Sequence, residues 1–286
     1  MGVFLLILHA ALNQAESMVM RLYGKKHSVG GMFFNAIVSL SATVFFFLTD
    51  KNGLYLPKDI WIYGGISALM FASGFYTMFL ALQLGSFVTT KTIASFYGIL
   101  PILYGILFLK EPAGIYVYLG IVLVFVSMYL MNCSKIGNEE KKAFSAKWLI
   151  CVLVTTIING LLGILIRMQQ LHFNHACDNE FMILSCGGAF LLLLLLSIMQ
   201  ERDRIGYILK HGTPYGLLTG LVNGTKNLVS LFVYLFIPIS IATPILSGLG
   251  IILSFLISVL IYKEKLTKTQ LLSVAIGAAA LVLFNL

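Results

Sequence analysis

The chain has 286 residues, of which 59% are hydrophobic and only 10% are charged. Soluble domains carry about 25% charged residues, so this chain has too few charges to cover a water-facing globule of its size. Its composition argues against a soluble enzyme and a disordered chain. The net charge of +8 is attributed to Lys and Arg in cytoplasmic loops rather than to nucleic-acid binding. The four cysteines form no CxxC pattern, so neither a disulfide framework nor a zinc site is expected.

Apolar stretches long enough to cross a bilayer follow one another along the chain. A hydrocarbon core of about 30 Å needs roughly 20 apolar residues per helix. The predicted fold class is therefore an all-α polytopic membrane protein with ten transmembrane helices, near 2–22, 30–48, 61–82, 89–109, 115–132, 148–169, 181–199, 213–236, 240–262 and 267–286.

A polar linker at 133–147 divides these spans five and five. It predicts two five-helix units, at 1–132 and 148–286. Thirteen Lys and Arg residues fall in the loops after spans 1, 5, 7 and 9, against four on the opposite side. Because cytoplasmic loops are enriched in Lys and Arg, this bias predicts that both termini are extracytoplasmic.

The two halves align with each other as internal repeats. At an offset of 146, Asn13 aligns with Asn159, Ser17 with Gly163 and Arg21 with Arg167. At an offset of 152, three small residues of span 3 align with three of span 8, a spacing that permits close helix contact in lipid. At an offset of 153, the dipeptide 110–111 aligns with 263–264, and position 132 with 285. Because each copy has an odd number of spans, the second copy is predicted to be inverted, which is typical of secondary transporters.

Two stretches that close one span and open the next resemble a known family. They are the residues at 107–112 leading into 118–121, and those at 260–267 leading into 270–273. With Pro101 in span 4, they make the chain similar to the ten-span EamA-type members of the drug/metabolite transporter superfamily. The resemblance covers nearly the whole chain and implies a metabolite carrier of unspecified substrate. Span 1 departs from the pattern because it has no Trp-Gly pair; its Ala15-Glu16 instead resembles the membrane glutamate of small four-span multidrug exporters.

One acidic residue lies well inside a span. Burying a charge at the bilayer centre costs at least ~2.5–3.5 kcal/mol, so Glu16 needs a cavity, a partner or protonation. It is the predicted proton-coupling residue; the alternatives are a site for a substrate amine, an interhelical hydrogen bond, and snorkelling towards the end of the span near Arg21. Lys226 is near the middle of span 8, flanked by Asn223 and Asn227 at helical spacing, and is predicted either to hold a substrate anion or to pair with Glu16.

The remaining candidate substrate-binding residues are polar or aromatic positions in other spans. Lys91 lies only a few residues into span 4, where snorkelling to the interface is the expected account and substrate binding the alternative. Interhelical hydrogen bonding and helix packing are the alternatives for the others, which are Asn13, Gln14, Tyr76, Tyr97 and Asn159.

The sequence predicts a secondary active transporter that moves a small polar metabolite by alternating access, with proton coupling at Glu16. The alternatives are a flippase for lipid-linked headgroups and a non-transporting regulatory membrane subunit. No motif for catalysis or for a P-loop is present, so no enzyme activity or cofactor is expected. The pattern His172-x-x-His175-x-Cys177-Asp178 lies in a short loop and is not predicted to bind metal. The expected partners are a small molecule and the bilayer of a bacterial inner membrane, with a homodimer left open.

Overall fold

The computed structural model describes residues 2–27, 30–50, 53–110, 114–133, 145–261 and 268–283. Within these ranges the chain is almost entirely α-helical and has no strand. The helices are α1 (Gly2–His27), α2 (Met32–Thr49), α3 (Lys58–Leu84), α4 (Phe87–Ala94), α5 (Ile99–Leu107), α6 (Ile115–Cys133), α7 (Ala146–His172), α8 (Asp178–Gln200), α9 (Ile205–Phe236), α10 (Ile239–Leu260) and α11 (Lys268–Leu283).

Each predicted apolar stretch falls on a helix, but their lengths differ from the prediction. Span 4 is two helices, α4 and α5, joined by a 3₁₀ turn at Ser95–Gly98, and α9 begins at Ile205, earlier than predicted. Among the described residues, six helices are long and apolar enough to cross a membrane: α1, α2, α3, α7, α8 and α10. The aligned positions Glu111, Lys263, Glu264 and Asn285, and most of the predicted linker, lie outside the described residues.

Helix boundaries follow from local chemistry. Pro57 and Pro238 precede α3 and α10 in extended conformations, which fits the absence of a proline N–H at a helix start. The Ser145 hydroxyl accepts a 3.1 Å hydrogen bond from the backbone N–H of Trp148 and caps α7. Between α1 and α2, Gly30 adopts a φ of +56°, a conformation that favours glycine.

Helices of the first half pack antiparallel against helices of the second. Between α1 and α9, Glu16 bonds to Lys226, and the rings of Tyr23 and Tyr215 are 5.9 Å apart. The residue numbers at these contacts increase along α1 and decrease along α9, so the two helices are antiparallel. The helices α3 and α7 behave in the same way.

On that second pair, the Thr77 and Thr155 hydroxyls are 2.7 Å apart, and the rings of Tyr63 and Phe173 are 5.9 Å apart. Spans 1 and 8 therefore pack together as spans 6 and 3 do. In the sequence alignment, span 1 corresponds to span 6 and span 8 to span 3, so the second helix pair is the counterpart of the first.

Carboxylates at the two ends of α8 contact the start of α2 and the segment that follows α2. At the start of α2, Glu201 accepts hydrogen bonds from the backbone N–H groups of Gly31 (2.8 Å), Met32 (3.2 Å) and Phe33 (3.0 Å). A carboxylate is favourable there because these N–H groups lack partners within their own helix. At the other end, Glu180 accepts from the backbone N–H of Tyr55 at 3.0 Å. The contacts show that α2 and α8 also run antiparallel.

Glycines allow close contact at the interfaces of α9 with α2 and of α3 with α8. A Cβ at Gly216 would lie 2.8 Å from the Ile37 side chain, and one at Gly224 would lie 2.6 Å from Phe45. A Cβ at Gly64 would lie 2.7 Å from Leu184. The small residues predicted to permit close approach therefore do so on both α3 and α9.

Serine residues join the last helices of each half. The Ser247 hydroxyl of α10 donates to the backbone carbonyl of Ser95 at 3.1 Å. The Ser127 hydroxyl of α6 donates to the carbonyl of Ser273 on α11 at 2.7 Å. Side-chain bonds to backbone carbonyls satisfy the hydroxyls without water, as an apolar surrounding requires.

Candidate functional site

A cavity of about 140 Å³ lies between the two halves. Its wall combines charged and amide side chains with apolar and aromatic ones from α1, α3, α4, α7 and α9 and from the 3₁₀ turn. The lining residues used below are His9, Asn13, Glu16, Ser17, Phe71, Phe75, Lys91, Tyr97, Asn159, Asn223, Lys226 and Asn227.

A buried ion pair connects α1 to α9 across this cavity. The Lys226 Nζ lies 2.6 Å from the Glu16 Oε2, and the Asn223 amide donates to Oε1 at 2.8 Å. The Asn227 amide in turn donates to the Asn223 Oδ1 at 2.9 Å. The predicted pairing of Glu16 with Lys226 is therefore confirmed, and each carboxylate oxygen has a partner. Glu16 is 5% exposed, which explains why it needs both.

Lys91 lies in the same cavity, which corrects the expectation that it snorkels to the interface. It is 4% exposed, and its Nζ donates to the Ser17 hydroxyl at 2.9 Å and to the Asn13 Oδ1 at 3.4 Å. The short helix α4 ends one turn later, where the 3₁₀ turn begins. The Lys91 side chain reaches α1 through these two contacts, so the ammonium group points to the interior.

Eight of the ten sequence-predicted site residues line this cavity, and two do not. Gln14 lies outside it and donates to the backbone carbonyl of Gly250 at 3.0 Å. Tyr76 packs near Gly31, where a Cβ would be 2.9 Å from the tyrosine Cε2. The residues that line the cavity are Asn13, Glu16, Lys91, Tyr97, Asn159, Asn223, Lys226 and Asn227. Their functional roles remain predictions.

Sequence reasoning missed several polar lining residues. His9 is 8% exposed, and its Nδ1 has no hydrogen-bond partner. Ser17 bonds to Lys91. Both could have been found by extending the face that carries Asn13, because positions four apart share one side of a helix. Asn13 and Ser17 line the cavity together with their aligned partners, Asn159 and Gly163.

An aromatic cluster lies beyond the cavity, towards the end of α1. Tyr23 stacks on Phe34 with ring centroids 4.3 Å apart, and Phe34 lies 5.3 Å from Phe79. All three rings are buried. They lie just beyond Met20 and Met78, which still line the cavity.

The polar loop between α7 and α8 forms pairwise contacts. His175 Nδ1 lies 3.4 Å from the Asp178 carboxylate, and His172 Nε2 lies 3.6 Å from Asp59. In the described part of the chain, no three His, Cys, Asp or Glu side chains are grouped as metal ligands would be.

The apolar helices and the polar cavity between them are features of an integral membrane protein. Residues 1–133 match the model of the EamA-like transporter family. Residues 1–133 are therefore similar to that family, which lies within the drug/metabolite transporter superfamily, and the resemblance recognised in the sequence is confirmed over these residues.

A solved structure described only as "Crystal structure of protein" has the same fold. It matches with a TM-score of 0.65 at 13% sequence identity, over 99% of this chain and 98% of that chain. At this identity the likeness concerns the fold alone. No curated protein matches the sequence.

Proposed function

We propose that the protein is a secondary active transporter that carries a small polar metabolite by alternating access. The cavity between the halves, crossed by the Glu16–Lys226 pair, is the observation that carries this proposal. A membrane scaffold has no need to bury two lysines and a glutamate around a space, since each charge costs free energy. A substrate site between two halves is also where secondary transporters bind their cargo.

The helix contacts support an inverted-repeat architecture with ten crossings. Exchanging the halves converts the α1–α9 pair into the α7–α3 pair, and α2 packs antiparallel with its counterpart α8. Ser95 and Ser247, which bond to each other, are 152 residues apart, close to the offset at which these regions align. Equivalent residues meet in this way near a two-fold axis. Such an axis makes states open to opposite sides similar in energy.

The proposed proton coupling is supported by the position of Glu16 between α1 and α9, where it pairs with Lys226. Protonation removes the negative charge that holds Lys226, so the attraction between α1 and α9 falls when a proton binds. The aromatic cluster lies towards the end of α1 that carries Lys25 and Lys26, which the charge bias assigns to the cytoplasm. In this orientation, with both termini extracytoplasmic in a bacterial inner membrane, the aromatic cluster lies on the cytoplasmic side of the cavity.

Proteoliposomes with an imposed pH gradient test the proposal. The wild-type protein should accumulate at least one member of a panel of labelled amino acids, carboxylates, sugars and nucleosides. Glu16→Gln should lose accumulation and retain exchange, because exchange needs no net proton movement. Asp203→Asn, which neutralises an exposed acid, is the matched control.

A second variant, Glu16→Gln with Lys226→Gln, removes both charges and so avoids a buried unpaired lysine. Coupling that survives in the double variant at the wild-type level would reject Glu16 as the proton site. A wild-type protein that neither accumulates nor exchanges any panel member would reject transport of these metabolite classes.

A further inference from the structure

We propose that the cavity binds a small organic anion and that Lys91 is the residue that holds its negative group. The proposal rests on the transport function above, since it names the substrate class of that site. The charged groups lining the cavity are two lysines, Lys91 and Lys226, and one carboxylate, Glu16. When all three are ionised, one positive charge has no counter-charge.

The unbalanced charge belongs to Lys91. The Glu16 carboxylate is engaged by Lys226 at 2.6 Å and by Asn223 at 2.8 Å. Lys91 contacts only neutral oxygens, those of Ser17 and Asn13. An ammonium group has three donors, so among the described residues one donor of Lys91 has no protein acceptor. An anionic oxygen in the cavity would supply both the missing acceptor and the missing charge.

His9 provides an independent indication of a ligand. Its side chain lines the same cavity, is 8% exposed and carries an Nδ1 without a hydrogen-bond partner. Buried polar atoms normally have partners, so an exception needs an explanation. A ligand that contacts Lys91 through its anionic group and reaches the His9 Nδ1 through a second polar atom would satisfy both side chains.

The cavity wall favours an organic anion over an inorganic ion or a cation. Phe71, Phe75 and Tyr97 line part of it, so an apolar body can be buried beside the anionic group. A cation would meet a cavity that already has excess positive charge, and its natural partner, Glu16, already has Lys226 as its counter-ion. The volume of about 140 Å³ limits the ligand to a small molecule.

Thermal unfolding of the purified full-length protein tests this class, because ligands that bind the folded state raise Tm. The anions are benzoate, lactate and glycerol 3-phosphate. Their neutral counterparts are benzamide, lactamide and glycerol, and benzylamine is the cation. At least one anion should raise the wild-type Tm more than its neutral counterpart does, and benzylamine should not raise it.

Lys91→Met should lower the affinity for that anion at least tenfold, measured from the concentration dependence of Tm. Lys210→Met, which removes an exposed lysine, should leave the affinity unchanged. The proposal is overturned if no anion stabilises the wild type, if benzylamine or a neutral compound stabilises it equally, or if Lys91→Met keeps the anion preference.

Measuring flux in proteoliposomes distinguishes a failure of the anion-site proposal from a failure of the proposed transport function. An anion that binds through Lys91 but is not transported would overturn the transporter function and leave the anion site standing. Transport of a neutral or cationic metabolite that is unaffected by Lys91→Met would overturn the anion site alone.

Discussion

Two buried lysines in one cavity have different surroundings. Lys226 has a carboxylate partner, Glu16, and its charge is balanced within the protein. Lys91 is more deeply enclosed, at 4% exposed against 16% for the Lys226 side chain, but contacts a hydroxyl and an amide oxygen. Breaking a buried pair is costly, whereas a buried charge without a counter-ion lowers stability from the start. Lys226 therefore connects two helices, whereas Lys91 lowers the stability of the folded protein.

The largest expected effect comes from removing the partner of Lys226. Glu16→Gln should lower the free energy of unfolding by about 3–5 kcal/mol, because it leaves a second buried ammonium group without a counter-charge. Reversible unfolding in detergent measures the change.

Adding Lys226→Met to Glu16→Gln should recover most of the loss, since the double variant contains neither charge. If the stability changes of the two single variants add in the double variant, Glu16 and Lys226 do not interact, and the statement that Glu16 balances the charge of Lys226 is wrong.

Removing the charge of Lys91 is expected to change the free energy of unfolding in the opposite direction. Lys91→Met replaces the charge with an apolar chain of similar length, so the ligand-free protein should become more stable, by about 1–4 kcal/mol. The same unfolding measurement checks it, with Lys210→Met as the surface control. A loss of stability as large as that of Glu16→Gln would mean that Lys91 also has a structural charge partner.

The smallest effect is expected from the neutral partner of Lys91. Ser17→Ala removes one hydrogen bond to the ammonium group but leaves Asn13, and water can enter the adjacent cavity. The cost should be about 1 kcal/mol. Ser39→Ala serves as a control, since that buried serine of α2 bonds only within its own helix. A much larger cost at Ser17 would show that Lys91 depends on the hydroxyl for its position.

The sequence predicted the ion pair more successfully than the position of Lys91. Glu16 and Lys226 lie deep in long apolar stretches, where a charge needs a cavity, a partner or protonation, and their pairing was one of the outcomes that this cost predicted. Lys91 lies near the start of its span and resembled an interface lysine. The structure divides this span into α4 and α5 at the 3₁₀ turn, a break with no clear signal in the sequence, and the Lys91 side chain contacts Ser17 and Asn13 of α1.

Helix geometry explains the two misplaced candidates. Gln14 follows Asn13, but neighbouring residues on a helix point about 100° apart, so only one of them faces the cavity. Tyr76 falls between the cavity-lining residues Phe75 and Met78 and turns away for the same reason. The small residues of α3 and α9 were easier to interpret, because a repeated spacing of four defines a single face whatever its partner is.

Glu201 and Glu180, at the two ends of α8, hold neighbouring segments with different numbers of hydrogen bonds. Glu201 accepts three backbone hydrogen bonds at one face of the protein, whereas the structure shows Glu180 accepting one at the opposite face. If the faces open in turn, breaking the Glu201 hydrogen bonds costs more, because each hydrogen bond to a charged group contributes about 1.5–3 kcal/mol. For a protein that works by the proposed alternating access, this difference predicts that the state with the Glu201 face shut is the more populated one without substrate.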